Sequence, residues 1–343
     1  MTTTLKGATL AITGGTGSFG SVMARHALDS GANAVNIFSR DEAKQDDMRR
    51  RFADDRLRFF LGDVRDYESL LPALYGVDFV FHAAALKQVP SCEFFPQQAL
   101  LTNVVGSDNV IKASARSGVQ SLVCLSTDKA VYPINVMGQT KALMEKTAQA
   151  FARNNPGASM VVAMTRYGNV MYSRGSVIPV FVKQILAKQS LTITVREMTR
   201  FLMSLADSVT LVEHAFTGAQ PGDLFVMKAP AATTETLARA VASIFGVDDP
   251  AIRIIGARHG EKLHETLLSS EEMATAEDDG GFYRVPLDTR SLQYELYFDQ
   301  GRPASPTEAY TSANTRQLNV AQAAELVRTL PEIRRLLGGE STT

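Results

Sequence analysis

An α/β fold built on a doubly wound parallel sheet is what this chain predicts, and three observations predict it. Short apolar runs alternate with amphipathic stretches of about a dozen residues or more through the first half. Those runs are near-continuously apolar, as strands buried on both faces require. The first run empties into a glycine-spaced loop, Thr13-Gly14-Gly15-Thr16-Gly17-Ser18-Phe19-Gly20, which opens a helical pattern.

Taken in order, the predicted strands are Ala8–Thr13, Ala34–Phe38, Leu57–Leu61, Phe79–His82, Leu122–Ser126 and Met160–Thr165. Intervening helical patterns make each connection a crossover, the arrangement parallel strands need. After Thr165 the rhythm breaks. Residues 166–204 mix Gly, Pro and Arg with short apolar groups. Leu205–Phe216 reads as a helix, Leu224–Met227 as a returning strand, and 233–247 as a helix capped by Thr233 or Thr234 and closing near Gly246. Residues 276–316 read as irregular, and Ala321–Leu337 as one amphipathic helix. The expected organisation is a Rossmann-type unit over 1–168, with return elements around 205–230. A smaller C-terminal substrate-binding lobe and arm is expected over 169–204 and 231–343.

Composition narrows the function classes. With 343 residues and 45% apolar content, the chain can bury a large core. Lys plus Arg number 35 against 36 Asp plus Glu, which argues against a general nucleic-acid surface. The two cysteines, Cys92 and Cys124, have no zinc or disulfide spacing, so no metal is expected. No apolar run reaches membrane-spanning length and the N-terminus lacks a signal-peptide pattern; a cytoplasmic location with no membrane insertion is the expectation.

The loop from Gly14 to Gly20 carries the first chemistry. Glycines at 14, 17 and 20 allow a tight turn and let backbone amides approach a pyrophosphate, which the following helix faces with its positive end. At the end of the second strand, Ser39 and Arg40 favour NADP over NAD, because a guanidinium can grip a 2′-phosphate. Asp41 competes as a ribose ligand, or simply caps the helix from Glu42. Asp63, after the third strand beside Val64, is a candidate for the adenine amino group or another cap. Ala83, Ala84 and Ala85 are small enough to admit a nicotinamide, whereas His82 reads as structural.

The segment Ser126-Thr127-Asp128-Lys129-Ala130-Val131-Tyr132-Pro133-Ile134-Asn135-Val136-Met137-Gly138-Gln139-Thr140-Lys141 resembles the active-site stretch of an extended short-chain dehydrogenase. Lys129 directly follows Asp128, and Met137 stands where that superfamily keeps a tyrosine. More segments agree: 82–90, 165–170, 173–179, 198–201 and 258–262. Together they are similar to the inverting UDP-N-acetylglucosamine 4,6-dehydratases of surface-glycan synthesis, in particular the capsular branch with methionine at this place. Members of that branch have also been assigned as UDP-glucose 4-epimerases.

The resemblance implies a UDP-sugar substrate, a homo-oligomer between dimer and hexamer, and a site. Asp128 would be the acid for water loss, Lys129 the C5 base, with Thr127 beside them and Lys141 on the nicotinamide ribose. Met137 would be an apolar wall, leaving the O4 proton to Lys129, Tyr132 or Tyr167. Thr16, Ser18, Phe19, Lys87 and Asn103 join the cofactor set. Lys87, Tyr167, Asn169, Arg174, Ser176, Val177, Pro179, Thr199, Arg200, Arg258 and Glu261 form the substrate set, arginines suiting diphosphate oxygens and a glutamate ribose hydroxyls. The alternative activity is 4-epimerisation of a UDP-hexose; a non-catalytic NADP-binding regulator is the third reading, motivated by Met137.

Overall fold

The structure is a computed structural model that describes residues 5–173, 175–257, 260–288 and 307–338. The chain divides into two compact units: Met1–Arg166 with Val209–Met227 and Leu268–Ala309, and Tyr167–Ser208 with Lys228–Leu267 and Tyr310–Thr343.

The first unit holds a sheet of nine strands flanked by helices. Its first six strands are β1 (Thr9–Thr13), β2 (Ala34–Ser39), β3 (Leu57–Leu61), β4 (Phe79–His82), β5 (Ser121–Leu125) and β6 (Val161–Arg166). Each lies within one residue of its predicted bounds. They run parallel in the order β3-β2-β1-β4-β5-β6. The order reverses between β1 and β4, which opens the crevice where such sheets bind ligands. Leu10, Ile12, Ile37, Val80, Phe81, Leu122 and Val123 are fully buried along these strands. Each such side chain contributes roughly 1.5–3 kcal/mol on leaving water. Phe19, the second residue of the helix Ser18–Asp29, packs edge-on to Phe81 with ring centroids 4.9 Å apart, pinning that helix to the sheet.

The second unit carries short strands, β7 (Leu191–Ile193) and β8 (Thr199–Phe201), and the predicted returning strand β9 (Leu224–Met227) belongs to the first unit, parallel to β6. Chain order continues with β10 (Ala231–Thr233), β11 (Ile252–Ile254) and β12 (Thr266–Leu268), then β13 (Glu277–Asp279), β14 (Phe282–Val285) and β15 (Tyr310–Thr311). Within the second unit β10 pairs with β8 and β11 with β7. A core of Phe181, Leu191, Ile193, Leu237, Val241, Val327 and Ile333 fills its helices. The helix Thr234–Ile244 starts at Thr233, whose hydroxyl accepts from Thr236 N, and Gly246 beyond its end has φ of 75°.

Three expectations need correction. Residues 276–316 are not uniformly irregular: β13 and β14 form a hairpin across Gly280-Gly281, and β14 runs antiparallel to β9. Gly280, at φ 62°, supplies the turn that acidic and aromatic composition masks. Because this hairpin extends the sheet, residues 268–288 group with the first unit and not with the C-terminal lobe. Residues 289–306 lie outside the described residues. Finally, the terminal helix is two, Val320–Arg328 and Pro331–Leu336, since Pro331 offers no amide to the preceding turn. Among the described residues no helix is long and apolar enough to cross a membrane.

Candidate active site

The cofactor cradle is assembled at the ends of β1–β4. Gly14 has φ of 69°, and a Cβ there would lie 2.8 Å from the Ala84 backbone, so only glycine lets the loop abut the end of β4. At Gly20 a Cβ would meet Gly15 Cα at 2.6 Å, which explains the third glycine. Gly17 is the N-cap of the helix Ser18–Asp29 and offers no side-chain cap, leaving the helix end to an anion. A cavity opens here, lined by Gly14, Thr16, Ser39, Arg40, Asp63, Val64, Ala84 and Ala85 of the predicted set. Phe38, Lys44, Leu86 and Thr102 also line it and were missed. Thr102 sits on a π-helical turn, Leu101–Val105, and its buried hydroxyl has no protein partner. That orphaned donor, the glycine cradle and the uncapped helix end fit a dinucleotide.

Other predicted cofactor residues have different surroundings. The Phe19 ring faces the core. Asn103 is fully buried: its amide accepts from Leu86 N at 2.8 Å and donates to Leu86 O and Thr140 Oγ1 at 3.0 Å each. It therefore braces the loop after β4. Lys87 is exposed on that loop. Ser39 Oγ accepts from Gln45, a buried amide that also bonds Phe60 O and ties the ends of β2 and β3. Asp41 caps its helix, accepting from Lys44 N at 3.0 Å and pairing with the Lys44 ammonium, which holds its carboxyl below the usual range. Asp63 is gripped by the Arg65 guanidinium, which lowers its pKa, and Arg40 lies 3.8 Å away.

The segment with Asp128 and Lys129 follows β5. Asp128 is 1% exposed; Lys129 Nζ lies 3.0 and 3.2 Å from its two oxygens, and Thr127 Oγ1 donates to Oδ1 at 2.6 Å. Asn135 caps the helix Val136–Asn154 through Gly138 N. A Cβ on Gly138 would stand 2.1 Å from the Lys129 carbonyl oxygen, so glycine is what brings helix and segment together. Met137 is buried against Cys92 and Ala99. On the same helix Lys141 donates to Leu125 O at 2.7 Å, and burial lowers its pKa to about 8, Cys124 and Glu145 opposing the shift. His82 bonds Thr13 Oγ1 at 2.6 Å and Ser107 Oγ at 2.8 Å; burial pushes its pKa down to about 3, with Lys141 adding to the shift. It is a neutral brace between strand and helix. Tyr132, a candidate for the O4 proton, has its hydroxyl against Ser270 and Glu271.

Residues 126 and 145 lead to a network missed in the sequence. Ser126 Oγ donates to Glu145 at 2.5 Å. Arg166, 4% exposed at the end of β6, clasps Glu145 at 2.6 and 2.7 Å and Glu272 at 2.7 and 2.8 Å. Burial works to lower the Arg166 pKa, but the two carboxylates outweigh it and hold the guanidinium charged. Ser269-x-x-Glu272 is a capping box, a sequence signal that could have located Glu272.

In the second unit a cavity is walled by Asn169, Ser176, Val177, Arg200 and Glu261 of the predicted set, with Thr192, Thr194 and Ile255. Arg200 reaches Glu261 at 3.1 Å and Thr199 O at 2.7 Å. Ser176 Oγ is buried without a protein partner. Thr199 lies buried, bonded to His264 and Ser312. Tyr167 and Pro179 are half-buried. Arg174 and Arg258 lie outside the described residues.

Sheet order, glycine cradle and the Lys141 helix together define an enzyme of the extended short-chain dehydrogenase class. Within it, the chain belongs to the polysaccharide biosynthesis protein family, whose model matches residues 10–287; the model of the family's C-terminal part matches 288–334. A UDP-glucose 4-epimerase of Rickettsia prowazekii (strain Madrid E) is 53% identical over 334 residues, 96% of this chain and 98% of the relative. That of Rickettsia canadensis (strain McKiel) is 54% identical over 327 residues, 94% of this chain and 96% of the relative. Among solved structures, Pen from Bacillus thuringiensis gives a TM-score of 0.84 at 30% identity, covering 95% of this chain and 99% of that one. DesIV, a dTDP-glucose 4,6-dehydratase of Streptomyces venezuelae solved with NAD and TYD bound, shares the fold with a TM-score of 0.68 at 21% identity, covering 96% of this chain and 98% of that one.

Proposed function

We propose that the protein is a UDP-N-acetylglucosamine 4,6-dehydratase that inverts C5, acting with a bound NADP. The observation that carries this reading is the contact between half-buried Lys129 and buried Asp128, an acid and a base side by side. A nicotinamide dinucleotide in the cradle supplies hydride acceptance and return at sugar carbons. Arg40, which lines that cavity, supports a 2′-phosphate, since the Asp41 carboxylate is already taken by Lys44.

Once C4 is a ketone, the C5 hydrogen is acidic. Lys129 must then be a neutral amine and Asp128 a neutral acid, although the two stand in contact as an ion pair. One proton resolves the conflict. Transfer from Nζ to the carboxylate along the 3.0 Å contact creates base and acid together, without an outside donor. Displacing water around the pair favours the neutral state. Lys129 takes the C5 proton and Asp128 gives its own to the departing C6 hydroxyl; the proton released from O4 on oxidation makes up the count, and C5 inverts because it is reprotonated on the face opposite the one Lys129 stripped. The cavity with Arg200 and Glu261 suits the nucleotide part of the substrate.

The relatives' names favour a second reading, UDP-glucose 4-epimerase, over the first. It shares C4 oxidation but needs no elimination, and it gives the Asp128–Lys129 pair no second task. Mass spectrometry of reactions run in heavy water with both UDP-sugars decides. A product lighter by one water, with deuterium at C5, is expected. An isobaric product changed only at C4, without deuterium at C5, transfers the assignment to the epimerase. No change in either sugar overturns both.

A further inference from the structure

The segment that carries Asp128 and Lys129 is held at both ends by one distant turn. Upstream, Ser126 Oγ bonds Glu145, which shares Arg166 with Glu272. Downstream, the Tyr132 hydroxyl meets Glu271 Oε2 at 3.1 Å, Ser270 Oγ at 3.2 Å and Ser270 N at 3.2 Å. Tyr132 adopts φ of 45°, a left-handed conformation that a residue with a Cβ takes only when its surroundings impose it. Ser270, Glu271 and Glu272 are consecutive, in the turn Ser269–Met273 that the capping box closes. Glu272 does two things with one carboxylate: it accepts from Ser269 N at 2.9 Å and receives both Arg166 terminal nitrogens.

We propose that the turn Ser269–Met273 is a positioning element for the Asp128–Lys129 pair. Glu272 sets the upstream end through Arg166 and Glu145, and Ser270 with Glu271 sets the downstream end through Tyr132. With its hydroxyl committed to Ser270 and Glu271, Tyr132 leaves the candidates for the O4 proton, and each of these groups acts through the segment it holds. The inference rests on the reading that Asp128 and Lys129 do the chemistry. A proton that must pass between two side chains and then reach a sugar carbon is sensitive to their placement, and a misplacement of about 1 Å costs on the order of 100-fold.

The test uses Glu272→Gln, Tyr132→Phe and the conservative Glu272→Asp in the full chain, with both UDP-sugars. Glu272→Gln should lower kcat by about 10- to 100-fold with KM within about twofold, a split expected of lost transition-state alignment. Glu272→Asp, which keeps the charge on Arg166, should recover most of that loss. Tyr132→Phe alters a half-exposed hydroxyl and keeps the fold, so it stands as the test if Glu272→Gln does not fold. It should lower kcat several-fold and speed hydrogen exchange across 127–133, leaving the β1–β4 peptides unchanged. If the wild type turns over a UDP-sugar while Tyr132→Phe, and Glu272→Gln where it folds, keep wild-type kcat, the positioning role is overturned. A wild type that converts neither sugar overturns the functional reading instead, whatever the exchange data give.

Discussion

Two charged clusters sit at the same edge of the sheet and are built on opposite principles. At the ends of β2 and β3, Asp41–Lys44, Asp63–Arg65 and Asp63–Arg40 are pairs of partly exposed side chains. At the ends of β5 and β6, Glu145 and Arg166 pair at 2.6 Å with side chains only 5% exposed. Water screens the first cluster, so each of its pairs is worth little and can be exchanged for a ligand phosphate. The second has left water and cannot trade partners without stranding a charge. The glycine-cradle end is therefore adaptable, whereas the end that carries Glu145 and Arg166 is fixed by folding.

The largest effect tests what the fixed cluster serves. Lys129→Ala should lower turnover by about 10² to 10⁴ and leave bound cofactor in place, measured by product formation and by cofactor released on denaturation. Full activity in that variant breaks the base assignment. Next, Arg166→Met should destabilise the fold by about 3–5 kcal/mol in urea unfolding, because it leaves Glu145 buried without its guanidinium. Arg65→Ala, at the exposed cluster, should cost no more than about 1 kcal/mol. Equal losses would erase the contrast between the two regions.

A smaller effect sharpens it from between the clusters. His82 stays neutral when folded, with its pKa near 3, whereas the unfolded chain titrates near 6.5. Below pH 6.5 the unfolded state binds the extra proton, so stability is full above that value and falls as pH drops towards 3. The slope reaches at most about 1.4 kcal/mol per pH unit. His82→Gln should flatten this slope between pH 4.5 and 6.5 in urea titrations; an unchanged slope would remove His82 as its source. Smallest of all, Arg40→Ala should leave stability unchanged and weaken NADP more than NAD, by calorimetry with both dinucleotides.

The same contrast explains what was legible in the sequence. The cofactor end is made from local patterns: a strand, three spaced glycines, and Asp41 three residues before the amide it caps. Apolar runs located β1–β6 because a parallel strand buried on two faces leaves an unbroken signature. The Asp128–Lys129 pair was readable because its members adjoin. What holds that pair was not: Arg166 and Glu272 are 106 residues apart, and no periodicity links them. The hairpin of β13 and β14 was hidden for a related reason, since an acidic strand and a four-residue aromatic one owe their place to ladder pairing, β13 with β14 and β14 with β9, and not to apolar alternation. Thr102 escaped because nothing about a threonine in a helical run announces an orphaned hydroxyl.

Gly138 has a mechanical consequence. With no side chain at that position, the third residue of the Val136–Asn154 helix rests directly on the Lys129 carbonyl. Helix and loop are thereby geared together, and neither can slip along the other. The spacing between the Lys129 and Lys141 backbones is then a property of the finished fold, set before any ligand arrives.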